Sequence, residues 1–213
     1  MSIAIPWDSL DLIVFDMDGT LYDQPPLRRR MAGLLAREAI RARSLAVVRT
    51  LAAFRRQRES LAHAVTTDFT VAQYRLPGQS PDFVRATVTD WMEQRPLAML
   101  RDYRTPGAGA LFRRLASSHM VAILSDYAAQ AKLAALDLSA HYCVTAEDVG
   151  RLKPDPAGLV WLMEQAKTVP QRTLMIGDRD ERDGEAARRA GVRALIRGRD
   201  FRHFHDPIFN DVA

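Results

Sequence analysis

Residues 12–20 constrain the fold of this chain more than any other segment. Residues 12–15 are all apolar (LIVF), and the next five residues read DMDGT. A short apolar run bounded by turn-forming residues is typical of a parallel strand that is covered on both faces. Because side chains two positions apart along an extended segment project to the same side, Asp16 and Asp18 are predicted to point together.

Two carboxylates that lie close together need compensation. Each raises the free energy of ionising the other, so the pair persists only if a cation neutralises it or one member carries a proton. The structural alternative is a turn in which an aspartate and Gly19 merely cap the following helix. The segment alone does not distinguish a reactive pair from a cap, so the rest of the chain has to be considered.

The composition predicts one core domain with an insertion. A chain of 213 residues with 47% hydrophobic content can bury a sizeable core. The single cysteine, Cys143, excludes an internal disulfide and a cysteine-based zinc cluster, and it favours a reducing compartment. The N-terminus lacks a basic segment followed by a long apolar one, and no apolar run reaches the roughly 18 residues of a membrane span. We therefore expect a cytoplasmic protein without a membrane span.

Short apolar segments alternate with helical ones along most of the chain. After residues 12–15, the predicted strands are 120–125, 142–145, 174–177 and 192–196. The predicted helices of this part are 109–117, 128–136, 157–167 and 181–190. Strands that alternate with helices indicate a parallel sheet with right-handed crossovers. The predicted fold is a doubly wound α/β domain, with its polar chemistry at the carboxyl ends of the strands.

Residues 23–101 interrupt this alternation and contain no obvious strand. Apolar residues in 27–61 predict one or two helices, and residues 82–93 predict another that begins near Ser80. We interpret the interval as an α-helical cap inserted into the core. The predicted domains are the α/β core, 1–22 and 102–213, and the cap, 23–101.

The first half of this interval is rich in arginine and carries Glu38 as almost its only acid. The arginines are Arg28, Arg29, Arg30, Arg37, Arg41, Arg43, Arg49, Arg55, Arg56 and Arg58. They form either a solvated helical face or a positive surface that attracts an anionic substrate, nucleic acid or a membrane. No aromatic ladder or zinc-finger pattern accompanies them, so specific nucleic-acid binding is not expected.

Two further motifs suit phosphate binding. Residues 123–126 (ILSD) place Ser125 at a strand end, where a hydroxyl and the following backbone N–H groups hold phosphate oxygens; helix capping is the alternative. Residues 151–156 (RLKPDP) place Lys153 beside two prolines, which restrict the loop and favour one position for the ammonium. A solvated loop lysine is the alternative there.

An acidic cluster follows the predicted strand 174–177. Residues 177–184 read GDRDERDG, and several carboxylates in so short a segment suit a hard divalent cation with oxygen ligands. Helix capping by Asp178 or Asp180 is the competing interpretation. We leave Asp180 out of the predicted metal ligands.

Taken in order, these motifs resemble the four sequence motifs of the haloacid dehalogenase-like hydrolase superfamily, across about residues 12–190. The residues that carry the resemblance are Asp16, Asp18, Gly19, Thr20, Ser125, Lys153, Pro154, Gly177, Asp178 and Asp183. The helical insertion resembles the cap of phosphoglycolate-phosphatase-like members. The resemblance implies a Rossmann-like core in which the first strand is central and neighbours the strand that ends before Asp178.

The resemblance also implies a mechanism. Asp16 attacks phosphorus and forms an aspartyl-phosphate. Asp18 protonates the leaving oxygen and then deprotonates the water that hydrolyses the intermediate. Ser125 and Lys153 bind the phosphoryl group. Thr20 is grouped with these substrate-binding residues and orients the loop or Asp18.

A magnesium ion is implied as the cofactor. The implied ligands are the Asp16 carboxylate, the backbone carbonyl of Asp18 and Asp178, with Asp183 as an additional or outer contributor. The predicted protein is thus a magnesium-dependent phosphatase for a small phosphorylated metabolite. Dehalogenases of the superfamily lack an acid two residues after the nucleophile, so Asp18 disfavours dehalogenation.

Two other functions remain as alternatives. A phosphomutase of the same superfamily carries the same four motifs. A non-catalytic module would instead bind an anionic partner through the arginine-rich cap. The physiological substrate and the oligomeric state are left open by the sequence.

Overall fold

The structure is a computed structural model that describes residues 5–62 and 69–212. The expectation drawn from the extreme N-terminus therefore falls partly on residues 1–4, outside the described part. Within the described ranges, none of the helices is both long and apolar enough to cross a bilayer.

A five-stranded, fully parallel sheet forms the centre of the molecule, in the order β3-β2-β1-β4-β5. The strands are β1 Leu12–Phe15, β2 Met120–Ser125, β3 Tyr142–Thr145, β4 Thr173–Gly177 and β5 Arg193–Ile196. The predicted doubly wound α/β fold is confirmed, and every predicted strand is present within one residue of its expected bounds. The first strand is central and pairs with β4 on one side and β2 on the other.

Alternation along β1 explains why the strand is apolar throughout. Ile13 and Phe15 belong to one hydrophobic cluster, whereas Leu12 and Val14 belong to another on the opposite face. All four side chains are buried. A strand covered on both faces needs apolar residues at every position, and that requirement produces the unbroken apolar run.

Helices connect the strands and cover both faces of the sheet. In chain order they are α1 Gln24–Ala42, α2 Ala46–Leu61, α3 Phe69–Ala72, α4 Pro81–Val88, α5 Ala108–Ser118, α6 Gln130–Ala135, α7 Ala146–Val149, α8 Ala157–Ala166 and α9 Glu185–Arg189. Short 3-10 helices lie at Trp7–Ser9, Leu97–Tyr103, Pro170–Arg172 and Pro207–Phe209, and π turns lie at Thr89–Gln94 and Asp180–Gly184.

Two predicted helices are divided in the structure. Residues 181–190 begin with the π turn Asp180–Gly184, and only Glu185–Arg189 is α-helical. Asp183 is turned inward there, where its Oδ2 accepts backbone N–H groups of Asp178 and Arg179. The helix predicted at 82–93 is likewise α4 followed by a π turn.

Helices α1, α2 and α4 form a cluster of their own over the carboxyl edge of the sheet. α1 packs on α2, and α2 packs on α4. Their shared hydrophobic residues are Leu51, Phe54, Tyr74, Leu76, Val84, Val88 and Trp91. Ser80 is the N-cap of α4, as predicted: its hydroxyl accepts the Phe83 backbone N–H at 3.2 Å.

Two connecting segments, one on each side of these helices, run next to each other where they leave the sheet. The Thr105 N–H donates to the Leu21 carbonyl at 3.0 Å, and the Asp23 N–H donates to the Tyr103 carbonyl at 2.7 Å. This crossing lies close to the predicted boundaries at residues 22/23 and 101/102. The division into two domains itself stays a prediction.

Candidate active site

The carboxyl ends of β1, β2 and β4 meet at one edge of the sheet, beneath the helices α1 and α2. A cavity of about 200 Å³ lies there. Five of the predicted site residues line it: Asp16, Asp18, Lys153, Asp178 and Asp183. Parallel strands gather the residues that follow them at a single edge, which is why motifs far apart in the chain converge.

Three carboxylates form the floor of this cavity. Each of Asp16, Asp178 and Asp183 offers one oxygen, and these three oxygens all lie within 4.8 Å of one another. The Lys153 ammonium lies 2.5 Å from Asp16 Oδ1 and 2.6 Å from Asp183 Oδ1. With Lys153 only 4% exposed, these are ion pairs in a water-poor setting, where charge interactions are strong.

The pKa values of these groups reflect burial and mutual charge. Burial raises the pKa of Asp16 well above its ordinary range; Lys153 opposes this shift, and Asp183 adds to it. Burial and the neighbouring Asp183 raise the pKa of Asp178 to about 6. Burial alone would lower the pKa of Lys153, but Asp16, Asp183 and Asp126 outweigh it and hold that pKa well above its usual value.

The cluster fits a hard divalent cation. Three carboxylates share the single Lys153 ammonium, so negative charge is left in excess when all are ionised. Asp178 Oδ1 is buried and has no hydrogen-bond partner among the described residues. An orphaned buried carboxylate oxygen beside two others is a donor set that magnesium accepts.

Glycine is required where the backbone approaches this cluster. Gly19 has φ +102°, and a Cβ built there would collide with the Asp178 carboxylate. A Cβ on Gly177 would collide with the Asp183 side chain. The two glycines therefore leave the space in which Asp178 and Asp183 lie.

Asp18 has buried partners, Lys132 and Tyr22, that its sequence motif does not indicate. The Lys132 ammonium lies 2.6 and 2.9 Å from its two carboxylate oxygens, and the Tyr22 hydroxyl donates to Oδ1. Burial on its own would raise the pKa of Asp18, but Lys132 and Tyr22 outweigh it and bring the pKa below its usual value. One feature of the sequence hints at a special role for Lys132: it is one of only three lysines in the chain.

Thr20 and Ser125 lie outside the lining of the cavity. The Thr20 hydroxyl donates to Asp16 Oδ2 at 3.2 Å, so it contacts Asp16 rather than Asp18. Ser125 Oγ accepts the Tyr127 N–H at 3.2 Å, as a residue that caps a turn does. The neighbouring Asp126 is half-buried; desolvation raises the pKa of its carboxyl group, which accepts the Lys153 backbone N–H at 3.0 Å.

The helical side of the cavity is positively charged. Arg58 of α2 is buried and donates to the Asp126 carbonyl and to Gln73. Its guanidinium carbon lies 4.3 Å from the centre of the Tyr127 ring. Arg182 is also buried and donates to the Lys153 carbonyl and to Glu59. These contacts join α2 to the sheet edge, and neither arginine belongs to a motif that predicts it.

Fold and site together define a doubly wound α/β protein whose strand ends assemble a carboxylate cluster around the buried Lys153. The model of the haloacid dehalogenase-like hydrolase family matches residues 10–191. The chain belongs to this family, which confirms the resemblance drawn from its motifs. The comparison with curated proteins gave no match.

Solved structures show the same fold. A 2-haloacid dehalogenase from Pseudomonas syringae pv. tomato DC3000 is 22% identical over 88% of this chain and 86% of that one, with a TM-score of 0.59. The putative hydrolase YfnB from Bacillus subtilis, bound to magnesium, is 15% identical over 88% of both chains, with a TM-score of 0.62. A phosphatase of this superfamily from Thermococcus onnurineus is 17% identical over 90% and 87%, with a TM-score of 0.60.

Proposed function

We propose that this protein is a magnesium-dependent phosphatase that hydrolyses a small phosphorylated metabolite in the cytoplasm. The observation that carries the proposal is the second carboxylate, Asp18, which lines the same cavity as Asp16. Displacement of an alcohol from phosphorus needs a proton donor for the leaving oxygen, and Asp18 supplies one. The neighbouring structures include both dehalogenases and phosphatases, so the fold alone does not select the reaction.

In the first step, an Asp16 carboxylate oxygen forms a bond to phosphorus as the bond from phosphorus to the leaving oxygen breaks. Asp18 donates its proton to that oxygen, which departs as an alcohol. Asp18 is ionised before substrate binds, because Lys132 and Tyr22 stabilise its charge. A phosphate dianion beside it raises its pKa, so binding of the substrate favours the protonated acid.

In the second step, water attacks the phosphorus of the aspartyl-phosphate. Asp18, ionised again, takes the proton from this water, and the bond from Asp16 to phosphorus breaks to release inorganic phosphate. Lys132 and Tyr22 assist this step because they stabilise the ionised carboxylate.

Lys153 neutralises Asp16 and the incoming phosphoryl group. Its ammonium already contacts Asp16, and phosphoryl transfer depends mainly on positioning and charge neutralisation. We also assign to Ser125 a role in holding phosphate oxygens through its hydroxyl and the backbone N–H groups that follow. Thr20 orients the nucleophile through its hydrogen bond to Asp16.

Magnesium would be held by Asp16, Asp178 and the backbone carbonyl of Asp18, with Asp183 as a further contributor. When bound, it supplies positive charge to the phosphate oxygens and to the carboxylate cluster.

The test is phosphate release from a panel of phosphorylated metabolites by wild type and by Asp16→Asn, with magnesium and with excess chelator. We expect magnesium-dependent release by wild type only, while both proteins keep the same far-UV circular dichroism spectrum. Turnover by Asp16→Asn would contradict the proposal. Transfer between positions of a sugar phosphate would indicate a phosphomutase, and release of halide from a haloacid would indicate a dehalogenase.

A further inference from the structure

A second cavity adjoins the first at Asp18. It has a volume of about 240 Å³ and lies between α1, α2 and the π turn Thr89–Gln94. The residues that line both cavities are Asp18, Gln24, Arg28, Arg55 and Tyr127. Since Asp18 donates to the leaving oxygen in the proposed reaction, the leaving group must lie beside Asp18, where the second cavity begins.

The walls of the second cavity are mostly apolar. The apolar residues are Leu27, Met31, Ala32, Leu35, Val48, Leu51, Ala52, Trp91, Met92 and Pro96. A cavity of this kind gains free energy by removing hydrocarbon or aromatic surface from water, at roughly 25 cal/mol per Å² of area buried. A fully hydroxylated leaving group, such as a sugar, would lose hydrogen bonds to water without replacing them at these walls.

Two arginines at the boundary lack acidic partners. Arg28 and Arg55 line both cavities, and neither makes an ion pair or a side-chain hydrogen bond with any residue in the described ranges. Burial, together with the charge of Arg28, lowers the pKa of Arg55. The other charged groups of the second cavity, Lys132 and Asp18, neutralise each other. An anion between the two guanidiniums would relieve their repulsion.

We propose that the leaving group is amphiphilic, with an apolar hydrocarbon or aromatic body in the second cavity and a carboxylate held by Arg28 and Arg55. The inference rests on the proposed function, because it assigns the substrate class of the same site. The natural substrate is then the phosphate ester of an apolar hydroxy acid rather than a sugar phosphate.

The test compares phenyl phosphate, 4-carboxyphenyl phosphate and glycerol phosphate as substrates for wild type, Arg55→Gln and the control Arg56→Gln. Arg56 is the next residue on α2; it is exposed, as Arg55 is, but lines neither cavity. We expect kcat/KM to be highest for the carboxylated ester, and Arg55→Gln to reduce the ratio of carboxylated to plain phenyl ester about tenfold, as the loss of one charged hydrogen bond does. Taking this ratio within each variant cancels the difference in chemical reactivity between the esters.

A second variant tests the apolar wall. Ala52→Phe fills the second cavity, whereas Ala36→Phe, on the exposed face of α1, does not. Ala52→Phe should raise KM for both aryl esters and so lower the kcat/KM ratio of phenyl phosphate to glycerol phosphate about tenfold, whereas Ala36→Phe should keep that ratio. Equal losses on all three substrates, or a wild-type preference for glycerol phosphate, would overturn the inference.

Direct binding separates this inference from the proposed function. Calorimetry with 3-phenylpropanoate, an apolar carboxylate without phosphate, should show binding to wild type and Arg56→Gln and about tenfold weaker binding to Arg55→Gln. If no ester is hydrolysed but this pattern holds, the proposed function fails and the apolar anion site stands. If the esters are hydrolysed but Arg55→Gln binds the carboxylate as well as wild type, the site inference fails alone.

Discussion

At the scale of single residues, the environment of Asp18 differs from that of the other site carboxylates. Asp16 and Asp178 have raised pKa values because burial dominates, whereas Lys132 and Tyr22 lower that of Asp18. Opposite shifts in neighbouring carboxyl groups are a frequent way to give them separate roles. Lys132 is thus the residue that sets the protonation of the proposed acid and base.

Replacing Lys132 with methionine should therefore move the pH profile of phosphate release. Without the ammonium, burial raises the pKa of Asp18, so the ionised form needed to activate water is populated only at higher pH. We expect the acidic limb of the kcat profile to shift upward and kcat at neutral pH to fall about 10²-fold. Lys167→Met, at an exposed helix end, serves as the control; identical profiles for the two variants would contradict this role.

Gly19 allows a second prediction at this scale. Alanine there has to adopt φ +102° and collides with the Asp178 carboxylate. Gly19→Ala should lose magnesium binding, measured by calorimetry, and about 1–3 kcal/mol of stability. Gly33→Ala, in α1, places a Cβ with nothing within 4 Å beyond the adjoining backbone of its own helix, and should instead gain about 0.5–1 kcal/mol. Magnesium binding by Gly19→Ala equal to that of Gly33→Ala would show that the close approach is not needed.

At the scale of elements, α2 is attached to the sheet edge through Arg58. The guanidinium donates to the Asp126 carbonyl and lies near three aromatic rings, at 5.6 Å from Phe54, 5.2 Å from Phe69 and 4.3 Å from Tyr127. In the sequence, Arg58 is one of ten arginines on a positive segment. Its burial separates it from its neighbours, and no local pattern marks it.

Removal of this contact should loosen the helices from the sheet. Arg58→Met leaves the Asp126 carbonyl and Gln73 without their charged donor, so we expect a loss of about 3 kcal/mol in the free energy of unfolding. Limited proteolysis of Arg58→Met should also cut within residues 24–61 faster than it does in wild type. Arg56→Met, on the exposed side of α2, should change neither; equal protease sensitivity and equal melting temperatures in the two variants would exclude the attachment.

The strands were predictable because their signal is local. Each is a short apolar run with polar residues after it, and burial on both faces leaves little choice of residue. The π turn Asp180–Gly184 could not be predicted in the same way. It forms where the Asp183 carboxylate turns inward and accepts the backbone N–H groups of Asp178 and Arg179. A periodic pattern of apolar and charged residues does not record such a contact.

At the scale of the whole molecule, the carboxylate cluster links stability to pH and to magnesium. The metal-free protein holds Asp178 with a pKa of about 6, above the ordinary value of 3.8. The folded state then binds this proton more tightly than the unfolded state, so the contribution of Asp178 to stability declines as pH rises from about 4 to about 6. Magnesium competes with the same proton.

The increase in melting temperature caused by magnesium should therefore be small at pH 5 and should grow through pH 6 toward a plateau. Differential scanning calorimetry with magnesium and with chelator, across this pH range, measures it. Asp178→Asn should abolish most of the increase, whereas Asp180→Asn, whose exposed carboxylate pairs with Arg199, should retain it. A magnesium effect that does not depend on pH would exclude competition for the Asp178 proton.

The sequence by itself determined the order of strands and helices, and it predicted the candidate site residues Asp16, Asp18, Lys153, Asp178 and Asp183, which line one cavity in the structure. Each belongs to a short motif in which neighbouring residues are informative. The tertiary structure decided which groups control those residues. Lys132 contacts Asp18 across 114 residues, and Arg58 reaches the Asp126 carbonyl across 68. Such pairs form only when the sheet edge and the helices are assembled, because burial makes the charges interact strongly and no local pattern encodes their approach.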